Sequence, residues 1–155
     1  MQKIHLIARG IVISGDHVLL VKETSDRYYF LPGGHIEYNE AARDALIREM
    51  KEELGASCMA LDYVSAVEHK YDMNDETYHE ISLVFKCELN GLNYPDPPIS
   101  LESRIEFEWI AIAELKDHDI LPEPMVQIIE DVYNKSVPGN WFSTIEGSFK
   151  KVIHG

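Results

Sequence analysis

Three glutamates, Glu49, Glu52 and Glu53, stand at i, i+3 and i+4 in one charged stretch. On a helix this spacing makes them neighbours within an arc of about 100°. Like charges so placed cost a helix roughly a few tenths of a kcal/mol per pair, and the repulsion grows in a partly dry cleft. Cations between them would remove that cost. Carboxylate oxygens without Cys or His suit hard ions, Mg²⁺ or Mn²⁺. Taken alone, the same residues also read as a solvated acidic helix face, as most charge runs are.

The element that must carry them is a helix from Glu40 to Leu54. Asn39 is a plausible N-cap, Glu40 favours the positive first turn, and Gly55 suits the C-terminus. Leu46, Ile47, Met50 and Leu54 form its expected core-facing stripe. Before it, Lys3 to Ile13 and His17 to Lys22 read as two strands joined at Ser14-Gly15-Asp16. Tyr28 to Gly34 reads as an aromatic strand ending in a turn, with Gly33 and Gly34 permitting what a Cβ would block. After the helix, Leu61 to His69 and His79 to Leu89 read as strands, Asn93 to Pro98 as a loop, and Glu106 to Ala111 as a strand with Phe107 and Trp109 on one face. Pro124 opens a second helix with Met125, Ile128, Ile129 and Val132 on its apolar side, expected to run to Pro138-Gly139-Asn140. The tail, 138–155, reads as a hairpin, an arm or a homodimer contact. The expected fold is α/β, a mixed sheet between helices, with residues 1–155 as one domain.

Composition narrows the partners. There are 14 basic and 27 acidic residues, a net charge of −13 with His neutral. No basic stripe exists to track a polyphosphate backbone, so long nucleic acid is not expected. A small anionic substrate would need a local cation or bound metal. Cys58 and Cys87 are the only cysteines and lack metal-type spacing, which points to a reducing compartment. No apolar run approaches the roughly 18–20 residues of a membrane span, and the N-terminus lacks a signal-peptide layout. The expected location is the cytoplasm.

The wider spacing decides between metal site and solvated face. Gly34 is followed after five residues by Glu40, and after seven more by Arg48-Glu49-Met50-Lys51-Glu52-Glu53-Leu54-Gly55-Ala56. This resembles the box of the Nudix hydrolases, with Ala56 in place of a larger aliphatic. A chance match in a chain this long is on the order of one in ten million. Leu31-Pro32-Gly33-Gly34, Glu37, Phe107-Glu108-Trp109-Ile110 and Glu114-Leu115 also look like parts of that family.

The resemblance implies a Nudix α/β/α sandwich with a loop–helix–loop catalytic motif. It implies hydrolysis of a phosphoanhydride bond in a nucleoside-diphosphate-type molecule, with Mg²⁺ or Mn²⁺ held by Glu49, Glu52, Glu53 and the Gly33 carbonyl. Arg48 would orient the carboxylates, with Gly34 and Glu40 supporting. Glu49 is the first choice of general base, with Glu80, Glu102 and Glu106 as alternatives outside the box. Arg9, Lys22 and Arg27 are candidates to hold phosphate, and Tyr28, Tyr29, Tyr71 and Tyr78 to stack on a base. The ADP-ribose branch of the family has a Pro some 15 or 16 residues past the box. Here that stretch reads Tyr71-Asp72-Met73, which favours nucleoside triphosphates or dinucleoside polyphosphates. A nucleotide-sensing Nudix domain would typically have lost box carboxylates, and this chain keeps them. An isomerase on this fold would need an acid/base residue such as a Cys near the site, a role not expected of Cys58.

Overall fold

The computed structural model describes residues 2–146 and 150–152. Strand β1 (Ile4–Ser14) turns tightly into β2 (His17–Glu23), with Ser14 opposite His17. The two form the expected hairpin. β1 also pairs in parallel with a later strand, β5 (Glu76–Asn90), from Ile4 to Val12. β5 is the return arm of a long hairpin with β4 (Ser57–Met73), turning at Asn74 and Asp75, both with positive φ. This hairpin outruns both expected strands. Its tip pairs Tyr71 with Tyr78, beyond the apolar alternation that marks the core in the sequence.

β6 (Ile105–Ala111) closes the other edge against β2. β7 (Trp141–Ser143) adds in parallel to β4, and β8 (Lys150–Val152) pairs with β7. The sheet order among the described residues is β6-β2-β1-β5-β4-β7-β8, with the short β3 (Gly33–His35) on β1.

One helix covers each face. α1 (Ala42–Leu54) lays Ala45, Leu46 and Met50 on Ala8, Val12, Phe85 and Phe107. On the other face α2 (Pro124–Tyr133) and the 3-10 turn Ile112–Asp117 bury Leu115, Met125, Ile128 and Ile129 against Ile11, Val67, Val84 and Phe142. The α/β sandwich is therefore as expected. No helix among the described residues is long and apolar enough to cross a membrane.

Several local expectations fail for physical reasons. α1 starts at Ala42, and Asn39 is not its cap: Asn39 is left-handed at φ 65. The Glu40 carboxylate instead closes the preceding turn by accepting the Glu37 amide. Ile47 leaves the core stripe, 39% exposed, while small Ala45 is fully buried and lets the helix lie close to the sheet. Gly33-Gly34 is not a turn but the strand β3. α2 stops at Tyr133, before Pro138, because Lys135 turns left-handed at φ 56.

Part of the tail, 147–149 and 153–155, lies outside the described residues. The described part includes Phe142, fully buried in the α2-side core. Phe142→Ala should therefore cost about 3–5 kcal/mol in chemical denaturation, as a core aromatic does. A loss below about 1 kcal/mol would show that the tail is peripheral.

Candidate functional site

Arg48 organises the face of α1 that leads toward β3. Its Nε and Nη2 donate to the two oxygens of Glu40, at 2.8 and 2.9 Å. Nη1 donates to Glu49 at 3.0 Å and reaches Glu52 at 3.4 Å. Nη2 also donates to the His35 carbonyl at 3.1 Å. This fork draws the Glu40 carboxyl down to about 2, with the Glu37 amide helping.

Beside the fork, Glu53 and Glu49 meet carboxyl to carboxyl. Burial first, then the hydrogen bond and charge of Glu49, push the Glu53 carboxyl up to about 8; Glu102 adds to this and Arg9 opposes it. Two half-buried carboxylates thus face each other where a cation could stand. Glu52 is more exposed and leans on Arg48. Among the described residues no three acidic, His or Cys side chains form a finished metal cage. The donor set still fits a hard divalent ion, because the Glu49 and Glu53 oxygens converge and the Glu53 carboxyl stays raised despite Arg48 on Glu49 and the charge of Arg9.

Backbone is close by. A Cβ on Gly34 would lie 2.4 Å from the Glu49 carboxyl carbon. Gly33, at φ 146, would put a Cβ 1.9 Å from the Ala8 carbonyl oxygen. These glycines serve close approach: β3 presses against β1 on one side and the Glu49 carboxylate on the other.

On the α2 side of the sheet lies a cleft of about 880 Å³. Arg9, Arg27, Tyr28, Tyr71 and Glu80 line it, so the fold gathers these from four segments. The box glutamates do not line it, but Arg9 joins the two regions. Its Nη1 donates to the Leu31 carbonyl at 2.9 Å. Burial lowers its pKa, opposed by Glu80 and Glu53, then by Tyr71 and Glu49. Tyr71 donates to Glu80 and stacks between His69 and Tyr78.

Other candidates stand apart. Lys22 does not line the cleft; it pairs with Glu106 at 3.0 Å where β2 runs against β6. Tyr29 is also outside, donating to Glu108. Glu102 is drawn near Glu53 because the loop after β5 docks on the end of α1, with the Leu101 amide bonded to the Glu53 carbonyl at 2.7 Å. Sequence reasoning missed His69, Asp119 and Glu123 in the cleft. His69 alternates with Tyr71 opposite Glu80 and Tyr78, a polar–aromatic period of two that puts all four on one face of the hairpin.

These features agree with comparisons to known proteins. The family profile described as NUDIX domain matches residues 4–133, and the chain belongs to that family of hydrolases. It is 27% identical over 139 residues to the isopentenyl-diphosphate Delta-isomerase of Cereibacter sphaeroides, covering 80% of this chain and 75% of that protein. It is 31% identical over 87 residues to the ADP-ribose pyrophosphatase of Methanocaldococcus jannaschii, covering 53% and 49%. In fold it resembles a MutT NUDIX hydrolase from Burkholderia pseudomallei, with a TM-score of 0.67 at 23% identity over 84% of this chain and 99% of that one. Proteins of the family generally use divalent metal ions, in keeping with the acid-rich helix α1.

The Glu49–Glu53 pair has a consequence for pH. The folded-state pKa of Glu53 is raised above 4.5, so the fold binds the proton more tightly than the unfolded chain. Metal-free stability should therefore fall as pH rises from about 4.5 to about 8. Glu53→Gln should flatten that slope in thermal melts taken across the range. An unchanged slope in the variant would assign the dependence to other groups.

Proposed function

We propose that this chain hydrolyses a phosphoanhydride bond in a small nucleotide, with Mg²⁺ or Mn²⁺ held by Glu49, Glu52, Glu53 and the Gly33 carbonyl. The observation that carries the reading is the half-buried Glu49–Glu53 pair, backed by Arg48 and joined to the cleft by Arg9. Bound metal would neutralise the diphosphate and lower the pKa of the attacking water. Arg48 keeps the Glu49 carboxylate aimed by fixing one of its oxygens. Glu49 takes a proton from water as its oxygen attacks phosphorus, and the bond from phosphorus to the bridging oxygen breaks. Glu102, near Glu53, is the alternative base; Glu80 is held by Tyr71 in the cleft and Glu106 by Lys22. Arg9 and Arg27 meet phosphate and Tyr28 offers its ring to a base, while Tyr71, stacked between His69 and Tyr78, holds Glu80 in place.

Nucleoside triphosphates or dinucleoside polyphosphates are the favoured substrates, because Tyr71-Asp72-Met73 lacks the proline of the ADP-ribose branch. The name of the Methanocaldococcus relative makes ADP-ribose the necessary comparison. An isomerase activity, after the Cereibacter relative, would need an acid/base thiol at the site. Cys58 and Cys87 lie in the α1-side core, and neither lines the cleft.

Phosphate release from a nucleotide panel, ADP-ribose included, tests the reading. Activity should vanish on chelation and return with Mg²⁺ or Mn²⁺. Glu53→Gln or Glu52→Gln should lower kcat by about 10²-fold or more with the fold intact by circular dichroism. Wild-type turnover in either folded variant would move the active site elsewhere. A tenfold lead in kcat/KM for ADP-ribose would overturn the substrate preference.

A further inference from the structure

Two histidine rings meet outside both the carboxylate cluster and the cleft. His5 on β1 and His35 on β3 share one face of the sheet, because Ile7 pairs with His35 and alternate residues of a strand point the same way. His5 Nδ1 lies 3.0 Å from His35 Nε2, and the rings stand edge to face with centroids 5.1 Å apart. Among the described residues no other two imidazoles meet. His35 is exposed and His5 half-buried, so an ion can reach the pair from solvent. Neither ring lines the cleft.

A hydrogen bond between two neutral imidazoles puts one proton and one lone pair at the meeting point. His5 Nε2 and His35 Nδ1 hold no other described hydrogen bond, so either ring can carry its proton on that outer nitrogen. Two lone pairs then face each other. Imidazole nitrogens sit about 2.0–2.1 Å from Zn²⁺, and tetrahedral angles set two of them roughly 3.3 Å apart. The observed 3.0 Å needs to open by only about 0.3 Å, with a tilt of the exposed His35 ring.

The surroundings suit a cation. Glu80 stands opposite His5 across the β1–β5 pairing, on the same face, and Tyr71 donates to its Oε1. Its negative charge offsets that of Arg9 further along β1. No third His, Cys or acidic side chain converges on the pair among the described residues, so water completes the coordination shell. Imidazole serves Zn²⁺, Ni²⁺ and Cu²⁺ well, whereas Mg²⁺ takes oxygen. The pair therefore selects a different class of ion from the glutamates of α1.

We propose that His5 and His35 form a binding site for a transition-metal ion such as Zn²⁺, separate from the carboxylate cluster. The ion clips β3 to β1 beside the His35 carbonyl that accepts from Arg48. The site does not depend on which nucleotide the enzyme hydrolyses.

The experiment titrates ZnCl₂ calorimetrically into the full, untagged chain with Mg²⁺ in excess, beside Glu53→Gln, His5→Ala and His35→Ala. One zinc site should survive Glu53→Gln and weaken tenfold or more in each histidine variant. A second measurement needs no variant. Substoichiometric Cu²⁺, which is paramagnetic, should broaden the imidazole resonances of His5 and His35 first among the seven histidines. Three outcomes would each overturn the proposal: no zinc site in the wild type, none left in Glu53→Gln, or wild-type zinc affinity in either histidine variant. Broadening centred on other histidines would do the same.

Discussion

The Arg48 guanidinium touches the loop before α1, the helix itself and the carbonyl of β3 at the same time. A planar fork with five donors can serve these partners together, and a lysine ammonium could not. Without it Glu40 would lose the partner that sets its carboxylate across the entrance to α1. Glu49 would be free to turn from Glu53. The loop, the helix and the strand are thus held in one relation by a single cation, and the carboxylate cluster exists only within that relation.

The cluster is kept under electrostatic tension. A chain of net charge −13 places three of its carboxylates together on one helix and half-buries one of them against another. Hydrophobic packing by Ala45, Leu46 and Met50 supplies the stability that lets this repulsion persist. The cost shows as the raised carboxyl of Glu53, and a divalent ion held there would offset it. Such binding would be linked to folding through the same two carboxyl groups.

The box helix packs on one face of the sheet and the cleft opens on the other, and Arg9 interacts by charge with Glu80 in the cleft and with Glu53 and Glu49 on the helix. β1 makes this possible because it is central: it pairs with β5, β3 and β2 along different parts of its length. A residue on such a strand can report to a loop on one side and to a hairpin face on the other. The family membership places the chain among the Nudix hydrolases.

The box was legible in the sequence because helical contacts are local. Positions three and four apart meet on any helix, so spacing put Glu49, Glu52 and Glu53 on one face, and the resemblance to the Nudix box singled them out, with Arg48, as candidate site residues. The two-strand opening and the α2 stripe were legible for the same reason, since a period of two or of 3.6 is written in neighbouring residues. Local pattern could not show that Lys22 would be spent on Glu106, because that pair depends on the register of β2 against β6. Nor could it place Glu102 near Glu53, which depends on a loop docking on the end of α1. His69, Tyr71, Glu80 and Glu123 share a cleft only because β4, β5 and α2 meet there. The sequence by itself determined the helix and the carboxylate cluster on it; the tertiary structure decided which distant charges face that cluster, because contacts across a sheet depend on register and packing that no short stretch of chain contains.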